Sequence, residues 1–189
     1  MQQCRRGFKK EADEYALEFR SELGLAQTSP ICPWKLAAHL RIPVLTLSDL
    51  EHLLPEEVGH LRDGGSKDFS AATVFDGPRR QILLNDGHSP VRQASDLAHE
   101  LAHGILGHPA TPPLSESGCR NFNRELEDEA NWLGPALLVS KQAAFAIAFR
   151  GTTVEAAARS FRVSRPVFQM RLNVTGAAKA AQYRKKRRG

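Results

Sequence analysis

Two histidines four residues apart flank a glutamate in the run His99-Glu100-Leu101-Ala102-His103, an HExxH pattern. In a helix, residues i and i+4 lie on the same face, so both imidazoles can reach a single ion. Zinc readily accepts imidazole nitrogen, and a carboxylate beside the pair can take a proton from water. We therefore interpret His99 and His103 as metal ligands and Glu100 as a general base. The simpler alternative is a pair of histidines on a half-buried helix face.

A catalytic zinc site needs a third protein ligand and an open coordination position. The residues downstream of the motif offer several oxygen and nitrogen donors, which are His108, Glu116, Glu125, Glu127, Asp128 and Glu129. Glu127 and Glu129 lie on opposite sides of the apolar stripe of a predicted helix, so periodicity does not choose between them. The usual role of such a glutamate is a solvated carboxylate on a helix surface.

The elements that must position these residues follow from apolar spacing and from capping and turn residues. Helices are predicted at 8–23, from residue 33, at 90–106, 126–138, 141–150, 153–161 and 165–173. Strands are predicted at 42–47, 69–75 and 80–85, and a short helix follows residue 48. The turn between the last two strands favours a hairpin. Residues 55–68 and 109–120 are predicted as loops. A mixture of a few strands with many helices indicates an α+β protein.

Charge is distributed unevenly along the 189 residues. Residues 1–140 carry a net charge of −6, whereas residues 141–189 carry +11, with Glu155 as their one acid. No apolar run is long enough to span a membrane, and no apolar segment follows the basic N-terminus as in a secretory signal. The three scattered cysteines form neither a disulfide framework nor a paired thiol metal site. We therefore expect a cytoplasmic protein in a reducing compartment.

Three segments resemble the ImmA/IrrE family of metallo-endopeptidases. They are QILLN, then SPVRQASDLAHELAHGILGH with the HExxH pattern, and then LEDEANWLGPALLVS. The predicted N-terminal helix, the segment IPVLTLSDL and the C-terminal RLNVTG are also similar, so the resemblance covers nearly the whole chain. Two departures are Gly134-Pro135, where a kink of the helix is expected, and Ser140, where the family tends to have proline.

The resemblance implies a zincin fold of the gluzincin type. A small antiparallel or mixed sheet would pack with the HExxH helix and with a second, ligand-bearing helix. We expect a zincin-like metallopeptidase domain at 1–140 and a helical, helix-turn-helix-like subdomain at 141–178. A basic tail at 179–189 is expected to be disordered.

The resemblance also assigns roles to residues. It implies one zinc ion per chain held by His99, His103 and Glu127, with Glu100 as the general base. Asn131, one turn after Glu127, is expected to hydrogen-bond to a ligand, and Glu129 is the flanking acid of the same motif. A group must also stabilise the oxyanion, and the candidates are His108, Arg120 and Arg124.

The implied function is a zinc-dependent endopeptidase that regulates transcription by cleaving a helix-turn-helix repressor of the XRE type. A stress response, a mobile element or a toxin–antitoxin system is the expected setting. The alternative is a DNA- or protein-binding regulator with a non-catalytic metal site. Residues 153–173 resemble a helix-turn-helix with Arg165 and Arg171 on its second helix. We favour a supporting helical bundle over DNA readout there, and a solvated tail over phosphate binding for the basic run 184–188.

Overall fold

The computed structural model describes residues 4–63, 69–109 and 123–187. These ranges contain ten helices and three strands. The helices are α1 (Phe8–Glu22), α2 (Pro33–His39), α3 (Leu47–Leu50), α4 (Pro55–Asp63), α5 (Pro90–Ile105), α6 (Arg124–Leu138), α7 (Lys141–Arg150), α8 (Val154–Phe161), α9 (Arg165–Val174) and α10 (Ala177–Lys186). The strands are β1 (Val44–Thr46), β2 (Ala71–Asp76) and β3 (Arg79–Leu84). The predicted α+β class is confirmed.

The three strands form one mixed sheet in the order β1-β3-β2. Strand β1 runs parallel to β3, while β2 pairs antiparallel with β3 in the predicted hairpin, with Thr73 opposite Ile82. Strand β2 therefore lies at an edge of the sheet. Ile82 and Leu84 are fully buried on the side that packs against the helices.

Helix α5 forms where its start signals and its apolar spacing agree. The Ser89 side chain accepts a hydrogen bond from the backbone N–H of Arg92, and Pro90 occupies the first turn. The helix buries one continuous stripe, which consists of Ala94, Leu97, Ala98, Leu101 and Ala102. Burial of this stripe sets the rotation of the helix about its axis, and it thereby sets the directions in which His99, Glu100 and His103 point.

Helix α6 crosses α5 at a very short distance. A Cβ atom on Gly134 would lie 3.2 Å from backbone atoms of Ala98 and from the Cα atom of His99. A side chain at this position would push the two helices apart. Pro135 lies inside α6, which continues to Leu138. The unusual Gly134-Pro135 pair thus lies at the contact that brings the two helices together.

Two buried arginines hold the C-terminal end of α6. Arg20 of α1 donates to the carbonyl oxygens of Leu137 and Leu138, at 2.8 and 3.3 Å. Arg171 of α9 donates to the carbonyl oxygen of Val139 at 2.9 Å. The last carbonyls of a helix have no partner within it, and cations are favoured there. Burial, with a smaller effect of the Arg171 charge, lowers the pKa of Arg20 to about 10.

The helices after residue 140 pack against this body and against one another. Ser140 is fully buried, accepts from the backbone N–H of Ala143 and donates to the carbonyl oxygen of Gln27 at 2.7 Å. It therefore starts α7 and also joins α7 to the N-terminal region. The predicted helices at 141–150, 153–161 and 165–173 are confirmed within one residue. The division of the chain at residue 140 stays a prediction.

Three local predictions were wrong. Residues 55–63 form α4 rather than a loop, because Pro55 starts the helix and acids and bases occupy its two ends. The short helix α3 begins at Leu47 rather than after residue 48, because Thr46 and Asp49 form the capping box that starts it. Residues 179–186 belong to α10 rather than to a disordered tail. This helix contacts α7 and α9, and the Arg184 guanidinium lies 5.0 Å from the centre of the Phe149 ring.

Within the described ranges, no single helix has the length and apolar character needed to cross a membrane. Helices α6 and α7 reach that length and composition only as a pair, and the pair is bent by 53°.

Candidate metal centre

The side chains of His99, His103 and Glu127 converge between α5 and α6. The two Nε2 atoms of the histidines are 3.1 Å apart. The Glu127 carboxylate oxygens lie 3.3 Å from Nε2 of His99 and 3.5 Å from Nε2 of His103. The two imidazole nitrogens and the carboxylate therefore form a triangle of groups, in which Oε2 faces His99 and Oε1 faces His103.

This triangle has the size that a tetrahedral metal ion requires. Ligand atoms at about 2.0 Å from a tetrahedral ion are about 3.3 Å apart. Two imidazole nitrogens with one carboxylate oxygen are also a common donor set for a metal with an open position. The residues present thus fit a metal ion in both geometry and chemistry.

The cluster is accessible from one side. The side chains of His99, His103 and Glu127 are 25%, 14% and 31% exposed. A fully closed structural site would bury its ligands more completely, whereas this arrangement lets a further small group approach the centre of the triangle.

The surroundings shift the pKa values of Glu127 and His99. Hydrogen bonds from His103 and His99 hold the pKa of Glu127 far below its usual range, against the opposing effect of burial. Burial lowers the pKa of His99, but the Glu127 hydrogen bond and the charges of Glu100, Glu127 and Asp96 outweigh it, so the net pKa is raised. The carboxylate of Glu127 is therefore ionised at neutral pH, as a metal ligand must be.

Glu100 lies beside this cluster and is held by a neighbour from the sheet. The hydroxyl of Thr73, on edge strand β2, donates to Oε2 of Glu100 at 2.7 Å. A hydrogen bond from a β-branched residue with few rotamers limits the directions that the carboxylate can take. The sheet therefore contributes directly to the orientation of the predicted base.

A second chain of contacts starts on the other side of the His103 ring. Nδ1 of His103 lies 2.9 Å from Nδ1 of His108, and Nε2 of His108 lies 3.6 Å from Oε2 of Glu129. The same Glu129 oxygen accepts from Nη1 of Arg5 at 2.6 Å. His108 and Glu129 are only 5% and 3% exposed, so this chain runs through the protein interior.

Comparison with known families gives a match. The family model of the IrrE N-terminal-like domain, peptidase family M78, matches residues 51–173. The chain belongs to this family. The resemblance to ImmA/IrrE peptidases is thus confirmed, and the family is one of metallopeptidases. A comparison with curated proteins found no match.

The IrrE N-terminal-like match includes α5 and α6, and with them the whole His99-His103-Glu127 cluster. It begins after α1 and α2, so Arg5 and Arg20 lie outside the matched residues although both contact α6. The N-terminal helix of this family member therefore supports the site region from outside the matched segment.

The structure also distinguishes Glu127 from Glu129, which the apolar periodicity of the sequence did not. The Glu127 carboxylate faces the two histidines of α5, whereas the Glu129 carboxylate is buried and faces His108 and Arg5. Helical spacing alone places the two side chains on different sides of α6. The close crossing at Gly134 sets the rotation of the helix about its axis, and so turns Glu127 toward the histidines.

The other predicted site residues have different positions. His108 contacts the His103 nitrogen that points away from the triangle, and its role as an oxyanion donor stays a prediction. Asn131 is exposed, and within the described ranges no hydrogen bond joins it to His99, His103 or Glu127. Arg124 lies exposed one turn before Glu127 and stays an oxyanion candidate. Arg120 lies outside the described residues.

Sequence reasoning missed Thr73 and Arg5. A threonine in a predicted strand gave no signal beyond β propensity. Arg5 is separated from Glu129 by 124 residues, and no local periodicity reports such a distance. The one available hint for Thr73 was the alternation of the strand that precedes the HExxH helix.

Proposed function

We propose that this chain is a zinc-dependent endopeptidase with a gluzincin-like zincin fold, and that its substrate is a helix-turn-helix repressor of the XRE type. The observation that carries the hydrolytic part is the triangle of His99, His103 and Glu127 with Glu100 beside it. The resemblance to ImmA/IrrE proteins supports the repressor as substrate, in a stress-response, mobile-element or toxin–antitoxin setting in the cytoplasm.

The proposed assignment has α5 supplying two imidazole ligands and α6 the carboxylate ligand, as in a gluzincin-like site. Zinc is the favoured ion because the donor set combines two imidazoles with one carboxylate, at separations that suit tetrahedral coordination. One ion per chain is expected. When bound, such an ion supplies Lewis acidity that polarises the scissile carbonyl and lowers the pKa of a water molecule.

The protein itself performs the proton transfers. Glu100 takes a proton from the attacking water and then delivers it to the nitrogen of the leaving amine. The Thr73 hydroxyl, which donates to Oε2 of Glu100, limits the directions that this carboxylate can take. Arg124 is the described candidate for binding the oxyanion, since it is exposed one turn before Glu127.

The alternative of a DNA- or protein-binding regulator with a non-catalytic metal site has less support. A metal site that only stabilises the fold has no use for a glutamate oriented beside its ligands. Arg171, one of the two arginines on α9 that could contact DNA, is 1% exposed and bound to Val139 and Asp13. It is therefore not available to a phosphate or to a base edge.

Two measurements test the proposal. Purified protein supplied with zinc should retain about one equivalent by metal analysis, and less than about 0.2 equivalents would contradict the assignment. The zinc-loaded protein should then cut a purified XRE-type repressor, and the repressor encoded beside its gene is the first choice.

The control for cleavage is the Glu100→Gln variant, prepared in parallel and loaded with zinc. It should leave the same repressor intact, which excludes a contaminating protease. Cleavage by both proteins at equal rates, or by neither, would contradict the proposed activity.

A further inference from the structure

The His103 ring has a partner at each of its two nitrogens. Nε2 faces the cluster, at 3.1 Å from His99 and 3.5 Å from Glu127. Nδ1 faces the interior, at 2.9 Å from Nδ1 of His108. The ring can therefore turn about its Cβ–Cγ bond only if it gives up contacts on both sides.

These contacts select one tautomer for each histidine. A histidine that binds a metal through Nε2 needs the lone pair of that atom, so its proton lies on Nδ1. Nδ1 of His103 then donates to Nδ1 of His108, which must be unprotonated. The proton of His108 is then on Nε2, which faces Oε2 of Glu129 at 3.6 Å. This pattern of protons gives His103 an acceptor and points the remaining N–H of His108 at the Glu129 carboxylate, with both histidines neutral.

The chain ends on a charge supplied by the N-terminal segment. The Glu129 side chain is only 4% exposed, and a buried carboxylate is costly without a partner. Arg5 supplies that partner through Nη1 at 2.6 Å, while its Nη2 binds both Glu11 oxygens at 2.6 and 2.7 Å. The guanidinium also lies 4.8 Å from the centre of the Phe8 ring, so its position is fixed from several directions.

We propose that Arg5, Glu129 and His108 are positioning residues, which act through His103 to keep its Nε2 lone pair directed at the metal. This inference rests on the proposed function, because it takes His103 as a ligand. Groups that orient a metal-bound histidine typically change metal affinity by about 10- to 100-fold when they are removed. The N-terminal segment before the matched residues 51–173 thus takes part in building the metal site.

The test measures zinc affinity by competition with a chelator, without any substrate. His108→Leu should raise the zinc dissociation constant by about 10- to 100-fold. His108→Gln should stay near the wild type, because its amide offers one acceptor for His103 and one donor for Glu129. Arg5→Met should raise the constant by about 10-fold, whereas Arg6→Met, at the exposed neighbouring arginine, should leave it unchanged.

Cobalt substitution gives a second readout that a purely structural role would not move. The visible absorption of the cobalt protein should change in His108→Leu and Arg5→Met and stay as in the wild type in His108→Gln and Arg6→Met. Wild-type zinc constants and spectra in both His108→Leu and Arg5→Met, with only the melting temperature lowered, would overturn the proposal.

His108 is buried, so His108→Leu can fail to fold. Arg5→Met then decides the question, because the Arg5 side chain is 44% exposed and replacing it leaves the core intact. Wild-type protein that binds no zinc would overturn the proposed function and this inference together. Wild-type protein that binds zinc without cutting the repressor would contradict the proposed activity but not this inference, since the order of zinc affinities still decides the positioning role.

Discussion

Two helix pairs of this protein use their polar residues in opposite ways. Helices α5 and α6 turn His99, His103 and Glu127 toward one another at an accessible point. Helices α8 and α9 turn apolar residues toward one another, with the Phe161 and Phe168 rings 5.4 Å apart, and Arg171 is buried against the body. A charged residue in a motif serves chemistry only where the opposing element leaves it accessible.

Glu100→Gln tests the role of the α5–α6 pair in catalysis, and we expect it to have the largest effect. The amide keeps the volume of the side chain but cannot act as a base, so repressor cleavage should fall by about 10²- to 10⁴-fold. The measurement is the cleavage rate at saturating zinc, and metal analysis should still give one equivalent. A near wild-type rate would mean that another group moves the proton.

Glu127→Ala tests which glutamate of α6 belongs to the cluster. Loss of a ligand should weaken zinc binding by more than the roughly 100-fold that limits an orienting group. Glu129→Ala should weaken it less, because Glu129 acts through His108. Both zinc constants are measured by chelator competition. The reverse order would show that the assigned rotation of α6 is wrong.

The α8–α9 side of the comparison is tested by Arg171→Met. Removing this buried side chain leaves the Val139 carbonyl and Asp13 without their partner, and should lower the free energy of unfolding by about 2–4 kcal/mol. Urea unfolding measures the change. Arg165→Met is the matched control, because Arg165 is exposed and its loss should cost less than about 0.5 kcal/mol. Equal effects would contradict a structural role for Arg171.

Thr73→Val sharpens the view that the sheet contributes to the site. It removes one hydrogen bond to the Glu100 carboxylate, and such bonds to charged groups contribute about 1.5–3 kcal/mol. The maximal cleavage rate should therefore fall by about 10-fold or more while zinc content is kept. Thr73→Ser, which keeps the hydroxyl, should recover most of the rate. If the serine variant is as slow as the valine variant, the hydroxyl does not position the base.

Deleting residues 184–189 should have the smallest effect. The deletion removes the last turn of α10, where Arg184 contacts the Phe149 ring, but it removes no residue of the metal cluster. Repressor cleavage should stay within about twofold, and any loss of DNA retention should fade as salt rises. Cleavage and retention are compared at low and high salt. A large loss of cleavage at high salt in a folded variant would show that this end contacts the protein substrate.

Local patterns predicted a large part of this protein. The HExxH spacing placed His99, Glu100 and His103 on one helix, because a helix repeats at short range and its start and stop signals are local. Helices α7, α8 and α9 were predicted within one residue for the same reason. The α4 helix and the helical part of the C-terminal end were missed, because short polar helices depend on tertiary contacts more than on apolar spacing.

Local sequence signals are enough to predict the HExxH helix, the hairpin before it and a carboxylate-rich helix after it. The packing of the folded chain selects the carboxylate that faces the histidines, since the close contact of Gly134 with Ala98 and His99 sets the rotation of α6. It also brings Thr73 into contact with Glu100, His108 into contact with His103, and Arg5 into contact with Glu129. Some of these contacts join residues that are far apart in the chain, and others depend on the direction in which a side chain points. A local sequence period reports neither the distant partner nor the direction.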